Sequence, residues 1–248
     1  MGGFRIAAVV TAAGSSARMA GGGAVAVNAV KKEYRVLPGL VDADGMPLTV
    51  LGAAVGTFAL VPDIYQIVVT VPPDRECAEA EARAALPSEL CSGVSFVRGG
   101  ENRRVSVFNA LRSLQAGGCD FVLIHDGARP WVSRAVIDAV IGAALIHGAA
   151  VPVLPSVETP KMLAGSGGGF ITGHPRRETV VFAQTPQGFA FGPLLEAHEK
   201  AEKSAKSGVE FTDDAGVWAF AWPDAKVAAV PGEAANRKIT FPEDLSPC

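Results

Sequence analysis

Residues 5–19 read RIAAVVTAAGSSARM, and this stretch decides the fold. Its first half, Ile6–Thr11, is an unbroken apolar and β-branched run, which is typical of a strand buried on both faces. Its second half is rich in small residues, whose backbone can approach a ligand closely and whose N–H groups can hold phosphate oxygens. Arg18 adds a permanent charge suited to phosphate. The stretch predicts a first strand leading into a phosphate-binding loop; an ordinary strand-to-helix turn is the alternative.

Short apolar runs and helical patterns alternate along the rest of the chain. Further strands are predicted at residues 66–71, 94–98, 121–125, 149–154, 180–184 and 226–230. Helices are predicted at residues 73–86, 103–115, 133–147 and 193–204. This alternation predicts an α/β fold with a doubly wound, mostly parallel sheet in a single domain over residues 1–248. In such sheets the ligand lies beyond the carboxyl ends of the strands.

Two glycine-rich stretches interrupt this alternation. Residues 20–30 are uncharged and predict a flexible loop. Residues 156–177 contain short β-like pieces separated by glycines and predict a hairpin arm that protrudes from the sheet. Arms of this kind commonly embrace a partner subunit.

The composition excludes several classes of protein. Hydrophobic residues make up 49% of the 248 residues and charged residues 19%, which excludes disorder for most of the chain. The net charge of −3 implies no large basic surface, which argues against a dedicated nucleic-acid-binding protein. The most apolar stretch, residues 135–154, contains Asp138 and Pro152 and is not expected to span a membrane. We expect a cytoplasmic protein with reduced thiols at its four widely spaced cysteines.

Two motifs follow predicted strands and carry candidate binding residues. Residues 99–106, GGENRRVS, offer Gly100 for close contact with a flat base and Glu101 to accept from an exocyclic amine. The alternative places Glu101 in a first helical turn, where it would favour the helix dipole. Residues 125–130, HDGARP, place Asp126 and Arg129 where this architecture binds substrate. The alternative there is a mutual surface ion pair, and His125 is expected to be buried without a role.

Lys31 and Lys32 follow the first glycine-rich loop. A pair of lysines is usually a solvated face. Together with Arg18, however, they would form a clamp of cations around a polyphosphate, which phosphoryl and nucleotidyl transfer chiefly require.

The order of these motifs, continued by QTPQ at 184–187 and NRKITFPEDL at 236–245, resembles the 2-C-methyl-D-erythritol 4-phosphate cytidylyltransferases over nearly the whole chain. The resemblance implies a nucleotidyltransferase, Rossmann-like fold and a homodimer locked by the arm. It also implies a Mg²⁺-dependent reaction in which the substrate phosphate attacks the α-phosphorus of CTP and pyrophosphate leaves. The enzyme would act in non-mevalonate isoprenoid precursor synthesis.

The resemblance also assigns roles residue by residue. The residues implied to stabilise charge or position the substrate phosphate are Arg18, Lys32, Arg177 and Lys238. Those implied to bind the nucleotide are Ala12, Ala13, Gly14, Gly100, Glu101 and Ser106. Those implied to hold the sugar phosphate are Asp126, Arg129, Thr159 and Thr185. Lys32 is preferred over Lys31 because the family lysine stands two residues before an aromatic, here Tyr34. No metal ligands are assigned.

Two alternatives are open at this point. A cytidylyltransferase for another polyol phosphate, such as ribitol 5-phosphate, would share the nucleotide loop and QTPQ. Thr159 with Lys161, and the run TDDA at 212–215, favour the methylerythritol branch. A non-catalytic nucleotide-binding protein would be expected to lack some of the cations. A fusion to a second enzyme is not expected, since the chain ends soon after the last motif.

Overall fold

The computed structural model describes residues 3–14, 30–165, 169–204 and 210–245. Its strands are β1 (Ile6–Thr11), β2 (Val36–Val41), β3 (Pro47–Thr49), β4 (Ile64–Val71), β5 (Val94–Arg98), β6 (Phe121–Asp126), β7 (Ala149–Pro155), β8 (Met162–Leu163), β9 (Ile171–Gly173), β10 (Val181–Ala183), β11 (Gln187–Ala190) and β12 (Ala228–Pro231). Its α-helices are α1 (Val50–Ala59), α2 (Ala78–Ala84), α3 (Arg103–Leu114), α4 (Arg134–His147), α5 (Phe191–Ser204) and α6 (Asp214–Ala221).

The main sheet has eight strands, and β1 lies near its centre. The strand order is β10-β7-β11-β6-β1-β4-β5, and β12 pairs in parallel with β7. β1 is parallel to both of its neighbours, β4 and β6, whereas β10 and β11 run antiparallel to the strands they pair with. The carboxyl ends of β1, β4, β5 and β6 therefore meet at one edge of the sheet.

Helices cover both faces of this sheet, as successive residues of β1 show. Ile6, Ala8 and Val10 pack into a core that includes residues of α1, α2 and α4. Ala7 and Val9 point to the other face, into a core that includes residues of α3, α5 and α6. A strand with helices on both faces needs apolar side chains at every position, because its successive side chains alternate between the faces. The predicted doubly wound, mostly parallel sheet is confirmed.

Most of the predicted elements are present, with one helix much shorter than expected. The pattern over residues 73–86 yields only α2, because the chain after Pro73 first forms turns, including one closed by the Ala78 N–H and the Arg75 carbonyl at 3.3 Å. α1 was not predicted. Gly52 and Gly56 lower its intrinsic helix propensity. Gly52 is needed there for packing, since a Cβ on it would lie 3.1 Å from the Pro87 ring.

The predicted arm is a hairpin between β7 and β10. Its strands β8 and β9 pair antiparallel, with Met162 opposite Gly173. Residues 166–168, at the centre of its glycine-rich part, lie outside the described residues. The arm and its base expose large apolar side chains: Val157, Met162, Leu163, Phe170, Ile171, Val181 and Phe182.

No helix formed by the described residues is both long enough and apolar enough to cross a membrane. Of the four cysteines, Cys77, Cys91 and Cys119 are free thiols, and Cys248 lies outside the described residues.

Candidate active site

Glycines let the loops that follow β1, β5 and β6 pack against one another. A Cβ placed on Gly99, after β5, would lie 2.4 Å from the Cβ of Ala13, after β1. A Cβ placed on Gly127, after β6, would lie 2.9 Å from the carbonyl oxygen of Thr11. Both separations are shorter than atoms tolerate, so only glycine allows the loops to approach this closely. The predicted binding loops are thereby brought to one place.

The loop after β5 is held by a serine on the helix that follows it. The Gly100 N–H donates to Ser106 Oγ at 3.0 Å, and Ser106 Oγ donates to the Asn102 carbonyl at 2.8 Å. Ser106 is almost fully buried, and its Oγ would lie only 2.8 Å from a Cβ on Gly99. Four of the residues predicted to bind a nucleotide, Ala12, Ala13, Gly100 and Ser106, therefore lie on or beneath the contact between these two loops.

Glu101 is exposed beside this contact, ahead of the helix. Asn102 is the N-cap of α3, because its side-chain oxygen accepts from the Val105 N–H at 2.9 Å. Glu101 thus precedes the cap, and the interpretation as a first-turn residue is wrong. Its carboxylate accepts only a long bond of 3.5 Å from the Asn102 amide and faces solvent. The side chain is available to a ligand.

The carboxylate of Asp126 is the centre of the charged part of the site. Arg103 Nε lies 3.3 Å from its Oδ1, while Arg129 Nε and Lys238 Nζ lie 3.3 and 2.9 Å from its Oδ2. Burial of this carboxyl would raise its pKa, but the positive charges of the three partners outweigh that effect and hold its pKa well below the usual range. Asp126 and Arg129 do form the ion pair considered as an alternative, but it is buried and belongs to a larger cluster.

A chain of hydrogen bonds fixes the backbone around Asp126. The Asp126 N–H donates to Thr185 Oγ1 at 3.0 Å, and Thr185 Oγ1 lies 3.0 Å from His125 Nδ1. His125 Nε2 lies 3.0 Å from the Arg129 carbonyl, which can only accept. The proton is therefore on Nε2, and Nδ1 accepts from the Thr185 hydroxyl. His125 is fully buried as expected, and it holds the two ends of the loop after β6 together.

Buried amides attach the segment carrying Lys238 to the sheet. The Gln184 amide donates to the carbonyls of Glu233 and Asn236 at 2.9 and 3.1 Å. The Asn236 amide donates to the Thr185 carbonyl at 2.8 Å, and Arg129 Nη1 donates to the Asn236 carbonyl at 2.8 Å. The peptide bond between Thr185 and Pro186 is cis. These contacts explain why NRK and QTPQ, far apart in sequence, belong to one site.

The two adjacent lysines have different partners. Lys32 Nζ donates to the Ile239 carbonyl at 2.8 Å, next to Lys238. Lys31 Nζ donates to the Gly14 carbonyl at the end of the β1 loop, and Lys31 is buried. Burial lowers the pKa of the Lys31 amine. Lys31 therefore stabilises the loop that follows β1, and Lys32 contacts the segment that carries Lys238.

Three other predicted residues are not brought to Asp126 by any described contact. Thr159 and Arg177 are exposed on the arm, where Arg177 Nη1 reaches the Val157 carbonyl at 3.4 Å. Arg18 lies outside the described residues, as do all but the last residue of the predicted loop 20–30.

Sequence reasoning missed the role of Arg103 and Asp214. Arg103 Nη1 lies 2.7 Å from Asp214 Oδ2, so this arginine links two buried carboxylates. Burial would raise the pKa of Asp214, but the charge and hydrogen bond of Arg103 and the contact with His198 together outweigh that effect and lower the pKa. Asp213 is the N-cap of α6, and Asp214 is the first residue of that helix. The sequence signal that could have indicated a role for Asp214 is a second acidic residue directly after the cap residue Asp213.

The described residues contain no cluster of three or more His, Cys, Asp or Glu side chains that could hold a metal ion. The carboxylate at the centre of the site, Asp126, already accepts from three cations. Mg²⁺ is commonly held by one or two carboxylates together with substrate phosphates. This donor set therefore fits a divalent cation that is bound mainly through the phosphates of a ligand.

The family model for "2-C-methyl-D-erythritol 4-phosphate cytidylyltransferase" matches residues 6–248. The chain is 38% identical over 241 residues to a "Bifunctional enzyme IspD/IspF" of Bradyrhizobium diazoefficiens and 36% identical over 243 residues to a protein of that name from Chelativorans sp.. These alignments cover 97% and 98% of this chain but 54% of each relative. The chain thus spans about half the length of the curated relatives it matches.

Solved structures agree with the fold. A 4-diphosphocytidyl-2C-methyl-D-erythritol synthase from Anaerococcus prevotii is 27% identical with a TM-score of 0.74, and the match covers 98% of this chain and 93% of that one. A 2-C-methyl-D-erythritol 4-phosphate cytidylyltransferase from Thermus thermophilus is 31% identical with a TM-score of 0.69, covering 98% and 96%. The predicted nucleotidyltransferase-like architecture is confirmed by these neighbours.

The His125 imidazole gives the site a predictable pH dependence. Burial lowers its pKa to about 4, below the ordinary value of 6.5. Between these values the unfolded chain binds a proton that the folded protein does not, so stability is complete above about pH 6.5 and is lost as the pH falls toward 4. We expect roughly 3 kcal/mol of the free energy of unfolding to disappear over this range. Urea unfolding at several pH values measures the loss.

An NMR titration of the His125 ring protons provides the direct check. The imidazole is expected to stay neutral at pH 5.5. A midpoint near the ordinary value would show that the ring is not buried as described.

Proposed function

Because this chain belongs to the 2-C-methyl-D-erythritol 4-phosphate cytidylyltransferase family, we propose that it transfers the cytidylyl group of CTP to 2-C-methyl-D-erythritol 4-phosphate. The products are the CDP-linked methylerythritol and pyrophosphate, and the reaction belongs to non-mevalonate isoprenoid precursor synthesis. The observation that carries the proposal is the buried Asp126 carboxylate with Arg129 and Lys238 on one of its oxygens, at the carboxyl edge of the sheet.

The chemistry needs no nucleophile from the protein. A phosphate oxygen of the polyol substrate, already an anion near neutral pH, forms a bond to the α-phosphorus of CTP. The bond from that phosphorus to the oxygen bridging to the β-phosphate breaks, and its electron pair leaves with pyrophosphate. The protein's contribution is to align the two phosphates and to stabilise the negative charge that they bring together.

The charged side chains around Asp126 differ in how exposed they are, and therefore in how accessible they are to a phosphate. The Lys238 side chain is 35% exposed, whereas that of Arg129 is 12% exposed and also donates to the Asn236 carbonyl. We therefore assign Lys238 to the attacking phosphate and Arg129 to shaping the pocket beside it. Lys32 Nζ donates to the Ile239 carbonyl, in the segment that carries Lys238, and this contact supports a role for Lys32 at the triphosphate together with Arg18.

The nucleotide is assigned to the contact between the loops after β1 and β5. Gly99 lets the two loops pack against each other at Ala13, and the exposed Glu101 carboxylate beside this contact can accept from the cytosine amine. A Mg²⁺ ion carried by the triphosphate would neutralise part of its charge when bound.

The arm supports a homodimer. Its exposed apolar side chains include Phe170, which is 85% exposed, and Val157, which is 81% exposed. Large apolar residues concentrated on a protruding hairpin are typical of a surface that is covered by a partner. The same placement would let Thr159 and Arg177 complete a site, in their own subunit or in the partner, although neither contacts Asp126 within the described chain.

We further propose that the enzyme is cytoplasmic.

Pyrophosphate release tests the reaction and its substrate together. The protein is incubated with CTP and Mg²⁺, with methylerythritol phosphate and ribitol phosphate in parallel reactions. We expect release with the first alone. Release with ribitol phosphate alone would move the protein to the alternative polyol branch. Binding of CTP without release in either reaction would leave a non-catalytic nucleotide-binding protein.

Lys238→Met tests whether catalysis needs the positive charge of Lys238, because the substitution removes the charge with little change to the packing. The methionine keeps a similar length, and Asp126 retains Arg103 and Arg129 as partners. We expect kcat to fall about 100-fold or more, because one preorganised charge on a transferring phosphate is worth roughly 3 kcal/mol. CTP binding, measured by calorimetry, should persist. Lys226→Met, at an exposed lysine, is the matched control, and equal rates for both variants would remove Lys238 from the mechanism.

A charge on the arm tests dimerisation. Phe170→Asp places a carboxylate in the apolar surface of the arm, so sedimentation should show a shift from dimer to monomer. Ile146→Asp is the control, because Ile146 is 77% exposed on α4, away from the arm. A monomeric parent protein, or a Phe170→Asp variant that stays dimeric, would exclude the arm as the dimer contact.

A further inference from the structure

We propose that Arg103 and Asp214 are positioning residues for the reaction, because together they fix the orientation of the Asp126 carboxylate. The inference rests on the proposed function for its kinetic consequences, and it assigns two residues that the sequence motifs had left without a role.

The two oxygens of Asp126 have different partners, and this difference gives the carboxylate its orientation. Oδ2 contacts Arg129 and Lys238, which face the proposed substrate. Oδ1 contacts Arg103. Because Arg103 holds Oδ1, the Asp126 carboxylate cannot rotate about its Cβ–Cγ bond without breaking the ion pair with Arg103. Its other oxygen therefore stays directed at Lys238, the residue assigned to the attacking phosphate.

Arg103 can hold Oδ1 because it is itself held by Asp214. Its Nε contacts Asp126 and its Nη1 contacts Asp214 at 2.7 Å, so the rigid guanidinium spans two carboxylates. A planar fork with separate donors can bridge in this way, whereas a lysine offers a single point charge. Asp214 is fully buried, as is His198, whose Nε2 lies 3.4 Å from Asp214 Oδ1.

The backbone at Asp214 is anchored to the sheet next to β6. Gln187, the first residue of β11, accepts from the N–H groups of Asp214 and Ala215 at 3.2 and 3.0 Å. The same side chain donates to Asp213 Oδ2 at 2.9 Å. β11 pairs directly with β6, the strand that ends at Asp126. The start of α6 and the end of β6 are therefore fixed relative to each other, and Arg103 joins them.

The neighbouring residue offers a matched control. Arg104 is also buried, lies on the same turn of α3, and forms an ion pair with Glu202 of α5. This pair connects helices in the same way but does not contact Asp126. A substitution there removes an ion pair of α3 without altering the orientation of the Asp126 carboxylate.

The kinetic test compares Asp214→Asn, Arg103→Lys and the control Glu202→Gln. We expect the first two to lower kcat/KM for the polyol phosphate about 10-fold to 100-fold, since small displacements of a positioned group cost that much. The dissociation constant for CTP should change less than about threefold, because the nucleotide loops are untouched. Glu202→Gln should retain parent kinetics. Equal losses in all three variants, or a parent-like Arg103→Lys, would overturn the inference.

Amide hydrogen exchange tests the positioning role of Arg103 and Asp214 without depending on turnover of a polyol phosphate. Amide hydrogen exchange is followed in peptides covering residues 126–130 and 236–240 of the ligand-free protein. We expect Asp214→Asn and Arg103→Lys to accelerate exchange in both peptides and Glu202→Gln to leave both unchanged. Parent-like exchange in the first two variants would refute the positioning role. An inactive parent protein with accelerated exchange in those variants would refute the proposed function alone.

Discussion

The site depends on one buried carboxylate that is kept ionised by the cations around it. Removing Asp126 from water is costly, and the cost is offset only because Arg103, Arg129 and Lys238 approach within 3.3 Å. The dependence is mutual. Without the carboxylate, three positive charges would lie close together in a poorly solvated place. The cluster therefore joins the end of β6 to α3 and to the segment after β12, and it gives a phosphate-binding surface a defined shape.

The rest of the architecture serves to bring these groups to one edge of the sheet. Parallel strands place the loops after β1, β5 and β6 side by side, and glycines at 99 and 127 let those loops approach more closely than any side chain would allow. Gln184 and Asn236 then tie the C-terminal segment to the loop before β11. Membership in the cytidylyltransferase family and the proposed transfer to a polyol phosphate are consistent with this arrangement, because the reaction needs aligned phosphates and fixed charge rather than a protein nucleophile.

Sequence patterns succeeded where local chemistry decides the structure. The apolar run of β1 and the small residues after it have meanings that depend on near neighbours only. Patterns failed where a tertiary contact overrides local preference. α1 has two glycines and forms because Gly52 permits packing against Pro87.

By itself the sequence determined the fold class, most of the strands and helices of the main sheet, and the motifs that carry the family resemblance, because these depend on periodicity and turn chemistry along the chain. The tertiary structure alone decided which charges meet. Arg103 and Asp214 lie 111 residues apart, and Arg129 and Asn236 lie 107 apart. No spacing rule connects residues at such separations, since their contact depends on the strand order of the sheet and on how the helices pack on its faces.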